Sequence, residues 1–374
     1  MTARTVRRRY RRRVTPDAPP ALATLARETA DAVVAGRLAP AAIVAIRTPA
    51  GEAVAAAGAQ TYDDGAPLVD ADAVVDLASL TKAYVATTVL TLAERGVLDM
   101  DAPVSPLLAV GRGEDADAIT LRHLLTHTSG LPAVSFAWRD VEGEALFDAV
   151  LASDLEAAPG ERFTYSCLGY VAAGRLAEIA TGRPLADLVA ELVAVPVGAR
   201  TLQYGPVGDG AAVLPTEVEP HRGLVRGAVH DEMAHAFGRP VGNAGLFGTA
   251  ADLLALGGGL LGDGGISPAV VAALSTDALG PLGTRDLPGY GQSLGLRIGD
   301  AGFMGGVDGV GHTGFTGTSL VVDRERGTVA VLLTNRVHPS RERSDVGPSR
   351  AALADAVALL ADGAGAGAVT AERG

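Results

Sequence analysis

The sequence predicts an α+β fold: an antiparallel sheet flanked by helices, with a helical lobe inserted into it. Three observations point there. Strand-like apolar runs stand near both ends of the 374-residue chain, at 41–57 and 292–334. From about 119 to 195 the apolar spacing changes to the helical period. The runs 320–322 and 329–333 are joined across Asp323-Arg324-Glu325-Arg326-Gly327 and read as an antiparallel hairpin. The expected division is a disordered basic tail (1–16), an α/β lobe (17–100), the inserted helical lobe (101–235), the second part of the α/β lobe (236–361) and a flexible tail (362–374).

Each element has its own signal. Residues 21–36 read as a helix ended by a glycine. Residues 41–48 read as a strand that Pro49-Ala50-Gly51 turns into a second one, 52–57. A loop rich in Asp, Gly and Pro follows (61–72), then a helix from Ser79 toward the stop at Glu94-Arg95-Gly96. This helix is apolar nearly all round, as a buried one is. After an extended connector (98–106), Thr120 caps a short helix reaching Leu125, and helical periodicity recurs at 144–152, 168–180 and 185–193. Residues 196–228 read as irregular. Thr249 and Asp252 form a capping-box-like start for a helix over 249–261. Strands are expected at 292–298, 317–323 and 328–334, and a last helix at 351–360.

Composition narrows the function. Nearly half of the residues are hydrophobic but few are aromatic, so the core is aliphatic. The single cysteine, Cys167, excludes an internal disulfide framework. The net charge is −12, although residues 1–13 carry seven arginines and no acid. The acidic body argues against nucleic-acid binding by the folded part. The arginine run reads as an export signal, as a tail for nucleic acid or anionic membrane, or as a solvated extension. An export signal needs a continuous apolar segment next; Val14-Thr15-Pro16-Asp17 follows instead, so a solvated tail or an over-extended start is expected. No run of 18 uninterrupted apolar residues occurs, so no transmembrane helix is expected, and a cytoplasmic protein without cofactor is the default.

The chemistry centres on Ser79-Leu80-Thr81-Lys82. With Ser79 at a helix start, Lys82 lies one turn on and on the same side. A serine is a poor nucleophile unless a base takes its proton, and a desolvated lysine with a lowered pKa can serve. Alone, the tetrad reads more readily as a cap serine and a surface lysine. Three further segments change that: Leu124-Leu125-Thr126-His127-Thr128-Ser129-Gly130-Leu131-Pro132, then Tyr165-Ser166-Cys167, then His312-Thr313-Gly314-Phe315.

In this order the four segments resemble the serine β-lactamase, DD-peptidase and esterase superfamily, nearest to its class C-like branch, over roughly residues 20–360. The resemblance implies a β-lactamase/DD-peptidase-like fold and an acyl-enzyme on Ser79. Lys82 would hold or take the serine proton and Tyr165 would pass it to the leaving group, with Lys82 and a charged His312 supplying the field that ionises the phenol. His312, Thr313 and Gly314 would lie on an edge strand lining the cleft, and the amides of Ser79 and Phe315 would form the oxyanion hole. Two departures stand out. Cys167 replaces the asparagine of the family's Tyr-x-Asn, so a weak thiol stands where an amide could bind a substrate carbonyl, which disfavours amides more than esters. His312 replaces a lysine and would be a weaker anchor for a substrate carboxylate near neutrality. Val229-His230-Asp231-Glu232 and Asn243-Ala244-Gly245-Leu246-Phe247 also resemble that branch.

Competing signals are weaker. Gly291-Gln292-Ser293-Leu294-Gly295 matches a nucleophile elbow, but no helix follows it. His230 and His235 are five apart, not four, so no metal is expected there. His127 reads as a loop-fixing residue, and Trp138 as either pocket wall or packing. The expected function is hydrolysis of a small-molecule ester or amide. Acyl transfer or transpeptidation on the same scaffold, or a catalytically silent ligand-binding homologue, are the alternatives.

Overall fold

The computed structural model describes residues 18–371 apart from 209, 211, 281, 282, 284 and 285; the arginine run lies outside them. In chain order it begins with helix α1 (Pro20–Ala35), strands β1 (Ala41–Thr48), β2 (Gly51–Gly58) and β3 (Val75–Asp76), and α2 (Thr81–Glu94). The helical middle holds α3 (Leu121–Leu125), α4 (Gly143–Leu151), α5 (Cys167–Thr181), α6 (Leu185–Val189) and α7 (Val195–Val197). Next come β4 (Gln203–Tyr204), β5 (Val218–Glu219), β6 (Gly223–Leu224), α8 (Glu232–Ala236), β7 (Leu246–Gly248), α9 (Ala250–Leu261) and α10 (Pro268–Ala273). The chain returns to the sheet with β8 (Gly291–Gln292), β9 (Arg297–Ile298), α11 (Ala301–Met304), β10 (Val310–Gly314), β11 (Thr318–Asp323) and β12 (Thr328–Thr334), and ends in α12 (Gly347–Ala371).

The main sheet has the order β2-β1-β12-β11-β10-β9-β8, all antiparallel. Period-two alternation buries both of its faces. Ile43, Ala45, Val329, Val331 and Leu333 point into the larger core with Leu253 and Leu256 of α9. Val44, Ile46, Ala330 and Leu332 face Leu22 and Val33 of α1 and Leu353 and Val357 of α12. Gly257 lets α9 lie close on the sheet, since a Cβ there would stand 2.6 Å from Val329 Cγ1. The larger core runs without a break from the sheet into the helical middle, through Leu124, Leu168 and Tyr170.

The α+β architecture agrees with the expectation, and three details differ. The strand expected over 292–298 is two short strands, β8 and β9, with a turn between them. Ser293 N and Oγ both donate to Leu296 O, and Gly295 at φ +141° lets the turn press on Ala86 of α2. Ser293 is thus a buried turn residue, not an elbow nucleophile. The last helix runs well beyond 351–360, through Gly363, Gly365 and Gly367, residues that by themselves disfavour a helix. Ser79 lies in a single 3₁₀ turn, Ala78–Leu80, leading into α2.

Candidate active site

The Ser79 turn is unusual for its residues. Ala78 adopts φ +47°, a left-handed conformation that a non-glycine residue takes at a cost. One turn on, Lys82 is fully buried with all three ammonium donors placed: Ser79 Oγ at 3.1 Å, Asn243 O at 2.8 Å and Cys167 Sγ at 3.6 Å. Burial disfavours its charge, but the Cys167 thiol, Tyr165 and Asp231 outweigh that and hold Lys82 above the ordinary lysine range. The expected lowered pKa is therefore corrected: three acceptors around one nitrogen suit an ammonium, not a free amine.

The loop after α3 sets the height of Tyr165. His127, at φ +62°, accepts a hydrogen bond from Ser166 N on Nδ1 at 3.0 Å, and its carbonyl accepts from Thr164 N at 2.8 Å. Its ring lies 4.4 Å from that of Tyr165. Burial, then Lys82 and Arg297, push the imidazole well below its usual range, so it is a neutral brace. Ser166 caps α5 through Gly169 N, which makes Cys167 the first residue of that helix and turns its thiol into the site. Burial raises the thiol, and it faces the cleft beside Lys82 as well as packing.

On the opposite wall, His312, Thr313 and Gly314 pair with β11 but have no partner on the other side, because β9 reaches only Val310 and Gly311. His312 Nδ1 donates to Thr313 O at 2.7 Å. Burial, Arg297 and Lys82 press this imidazole well below its usual range. The charged histidine of the sequence reading is thus a neutral one. The cations over the Tyr165 ring are Lys82, 5.2 Å from its centroid, and Arg297, 5.3 Å away. The amides of Ser79 and Phe315 donate to no group among the described residues, as oxyanion donors must.

Two chambers meet at Ser79, with Phe315 in the wall of both. One, of about 470 Å³, combines the apolar Val134, Phe136, Trp138 and Met233 with the charged Arg139, Asp231, Glu232 and Arg341, beside Tyr165 and Cys167. The other, of about 450 Å³, is lined by Arg297, Arg336 and Arg350 and by the acid Asp345, and Arg297 also pairs with Asp300 at 2.9 Å. Among the described residues Nε of Arg297 and of Arg350 are buried without a partner, while other nitrogens of the two reach Asp300, and Gly314 O and Thr318 O. Burial and Arg336 lower Arg350 to about 10, so it is still a cation at neutral pH. Sequence reasoning missed this arginine bay because its members come from β9, the loop after β12 and α12; the only local signal was one arginine in the run 292–298.

Trp138 lines the first chamber and also packs on the core. His230 and His235 share no metal geometry; Glu217, Glu219 and His230 stand close, but Arg222 pairs with Glu219, and Arg341 and His230 with Glu217. That acidic set is occupied by guanidinium groups and fits an added cation poorly. No helix among the described residues is long and apolar enough to cross a membrane.

The chain is similar to known proteins over most of its length. The family model described as Beta-lactamase matches residues 27–355. Esterase EstB of Burkholderia gladioli is 30% identical over 343 residues, covering 81% of this chain and 86% of its own. A putative D-alanyl-D-alanine carboxypeptidase of Escherichia coli O157:H7 is 28% identical over 301 residues, covering 70% and 69%. Among solved structures, EstCE1, described as a hydrolase with promiscuous acyltransferase activity, superposes with a TM-score of 0.70 at 21% identity, over 90% of this chain and 98% of its own, a likeness of fold.

Proposed function

Since the chain belongs to the beta-lactamase family and is a serine hydrolase of that kind, we propose that Ser79 forms the acyl-enzyme and that the substrate is a small ester with an apolar acyl group and an anionic leaving side. The observation that carries the reading is the Lys82 ammonium donating to Ser79 Oγ at the junction of the two chambers. With all its donors engaged, Lys82 orients Ser79 and stabilises negative charge; the serine proton goes to the Tyr165 oxygen, which can take it only as a phenolate and later delivers it to the leaving oxygen. The carbonyl oxygen enters between the amides of Ser79 and Phe315. The aromatic chamber suits an apolar acyl group, and the arginine bay suits a carboxylate. Cys167 favours esters over amides, because no carboxamide stands there to hold an amide substrate. Thr313 and Gly314 line the leaving side, and neutral His312 shapes that wall without anchoring charge. A cytoplasmic location belongs to the same reading and fits the free thiol.

The first test is mass spectrometry of the intact protein after reaction with a fluorophosphonate. One adduct, mapped to Ser79 and absent in Ser79→Ala, is expected, with ester turnover in that variant reduced at least about a thousand-fold. An adduct elsewhere, or full turnover without Ser79, overturns the reading.

Acyl transfer is the second reading. The arginine bay that receives an anionic leaving group could equally receive an amino-acid acceptor once that group departs. Product analysis with added amino acids decides: amide products favour transfer, and hydrolysis alone rejects it.

A further inference from the structure

Asp76 is a buried carboxylate that the reaction at Ser79 does not itself use. It is 1% exposed, and no lysine or arginine pairs with it among the described residues. Burial raises its pKa, so keeping a charge here is costly.

Each polar atom of Asp76 holds a different part of the cleft. Oδ1 accepts from Ala78 N at 2.8 Å, closing the turn that keeps Ala78 at φ +47° just before Ser79. Oδ2 accepts from His230 N at 2.8 Å, fixing the strand of chain that continues into Asp231 on the wall of the aromatic chamber. Its carbonyl oxygen accepts from Thr316 Oγ1 at 2.7 Å, and Thr316 directly follows Phe315. Thr318 Oγ1 donates to the next carbonyl, Leu77 O, at 3.1 Å. The nucleophile turn, the turn carrying the second oxyanion amide and the acyl-side wall are therefore tied to one residue.

We propose that Asp76 is a positioning residue for the reaction, setting the Ser79 and Phe315 amides at the separation the tetrahedral oxyanion needs. It touches no substrate: its side chain acts through Ala78 N and His230 N, and its main-chain carbonyl through Thr316. The proposal rests on Ser79 being the nucleophile. If the wild-type protein takes no fluorophosphonate on Ser79, that premise fails before any Asp76 variant is read.

The test compares wild type with Asp76→Asn and with Asp76→Asn combined with Ala78→Gly, on p-nitrophenyl butyrate. The carboxamide can accept one of the two N–H bonds but turns an NH₂ toward the other. In variants shown to be folded by circular dichroism, kcat and the rate of fluorophosphonate labelling should fall about ten-fold or more, with KM within about three-fold, since small displacements of reacting groups cost rate more than binding. Ala78→Gly should recover part of the loss, because glycine takes the left-handed conformation freely. A residue needed only for folding would give a lowered melting temperature with normal kcat in the folded fraction. A folded Asp76→Asn with wild-type kcat, or a loss confined to KM and untouched by Ala78→Gly, overturns the proposal. If Asp76→Asn does not fold, Thr316→Val decides alone: a kcat-only loss supports the clamp, and wild-type kcat rejects it.

Discussion

Lys82 shows how much one side chain's state depends on residues distant in the chain. The spacing from Ser79 was enough to place it on the same face of α2, and there it lies. Its charge was not legible, because the acceptors that saturate it, Asn243 O and Cys167 Sγ, come from two other segments. Cys167 was legible as a departure at a known position, but its contact with Lys82 was not. If the missing carboxamide is what disfavours amides, Cys167→Asn should raise kcat/KM for an anilide relative to the matching p-nitrophenyl ester by about ten-fold, the scale of one gained hydrogen bond. An unchanged ratio would move the determinant elsewhere in the cleft. His312 follows the same logic: its place beside Tyr165 was readable from His-Thr-Gly, and its neutrality was not, because its burial, and after it Arg297 from a neighbouring strand, come from the tertiary fold.

Among the elements, β9 contributes most for its size. Two residues long, it delivers Arg297 to the bay and leaves the His312–Gly314 stretch of β10 open toward the cleft. The single strand expected over 292–298 missed this, since alternation of apolar residues does not reveal that Gly295 bends the chain against Ala86. Long elements with regular periods, such as β1, β12, α2 and α5, were readable within a few residues. Arg297→Gln should raise KM at least about ten-fold for esters with a carboxylate on the leaving side, given the strength of charge-assisted hydrogen bonds, and leave a neutral ester nearly unchanged. Equal loss on both substrates would assign Arg297 to the Tyr165 ring it covers rather than to the substrate.

The whole molecule should weaken toward mild acid. His127 and His312 are buried with folded pKa values well below their ordinary value of about 6.5. The unfolded chain takes up those protons as the pH falls through that value, and the folded chain does not. Stability present above about pH 6.5 is therefore lost on acidification, by up to about 1.4 kcal/mol per pH unit for each imidazole. Urea midpoints should fall between pH 7.5 and 5.5, and a midpoint that stays level or rises would contradict two neutral buried histidines.

The sheet order has a consequence for how the protein is made. β1 lies between β2 and β12, and Ala41 N donates to Asn335 Oδ1, 294 residues away in sequence. On the ribosome, at about 5–20 residues per second, the first hairpin waits roughly 15–60 s for the strand that completes it. During that time one edge of β1, rich in apolar side chains, is open to pairing with other nascent chains. A stalled or prematurely ended message that stops short of β12 would release a polypeptide with its first hairpin unprotected, so the burden of escaping aggregation falls on chaperones during translation, before any catalytic cleft exists.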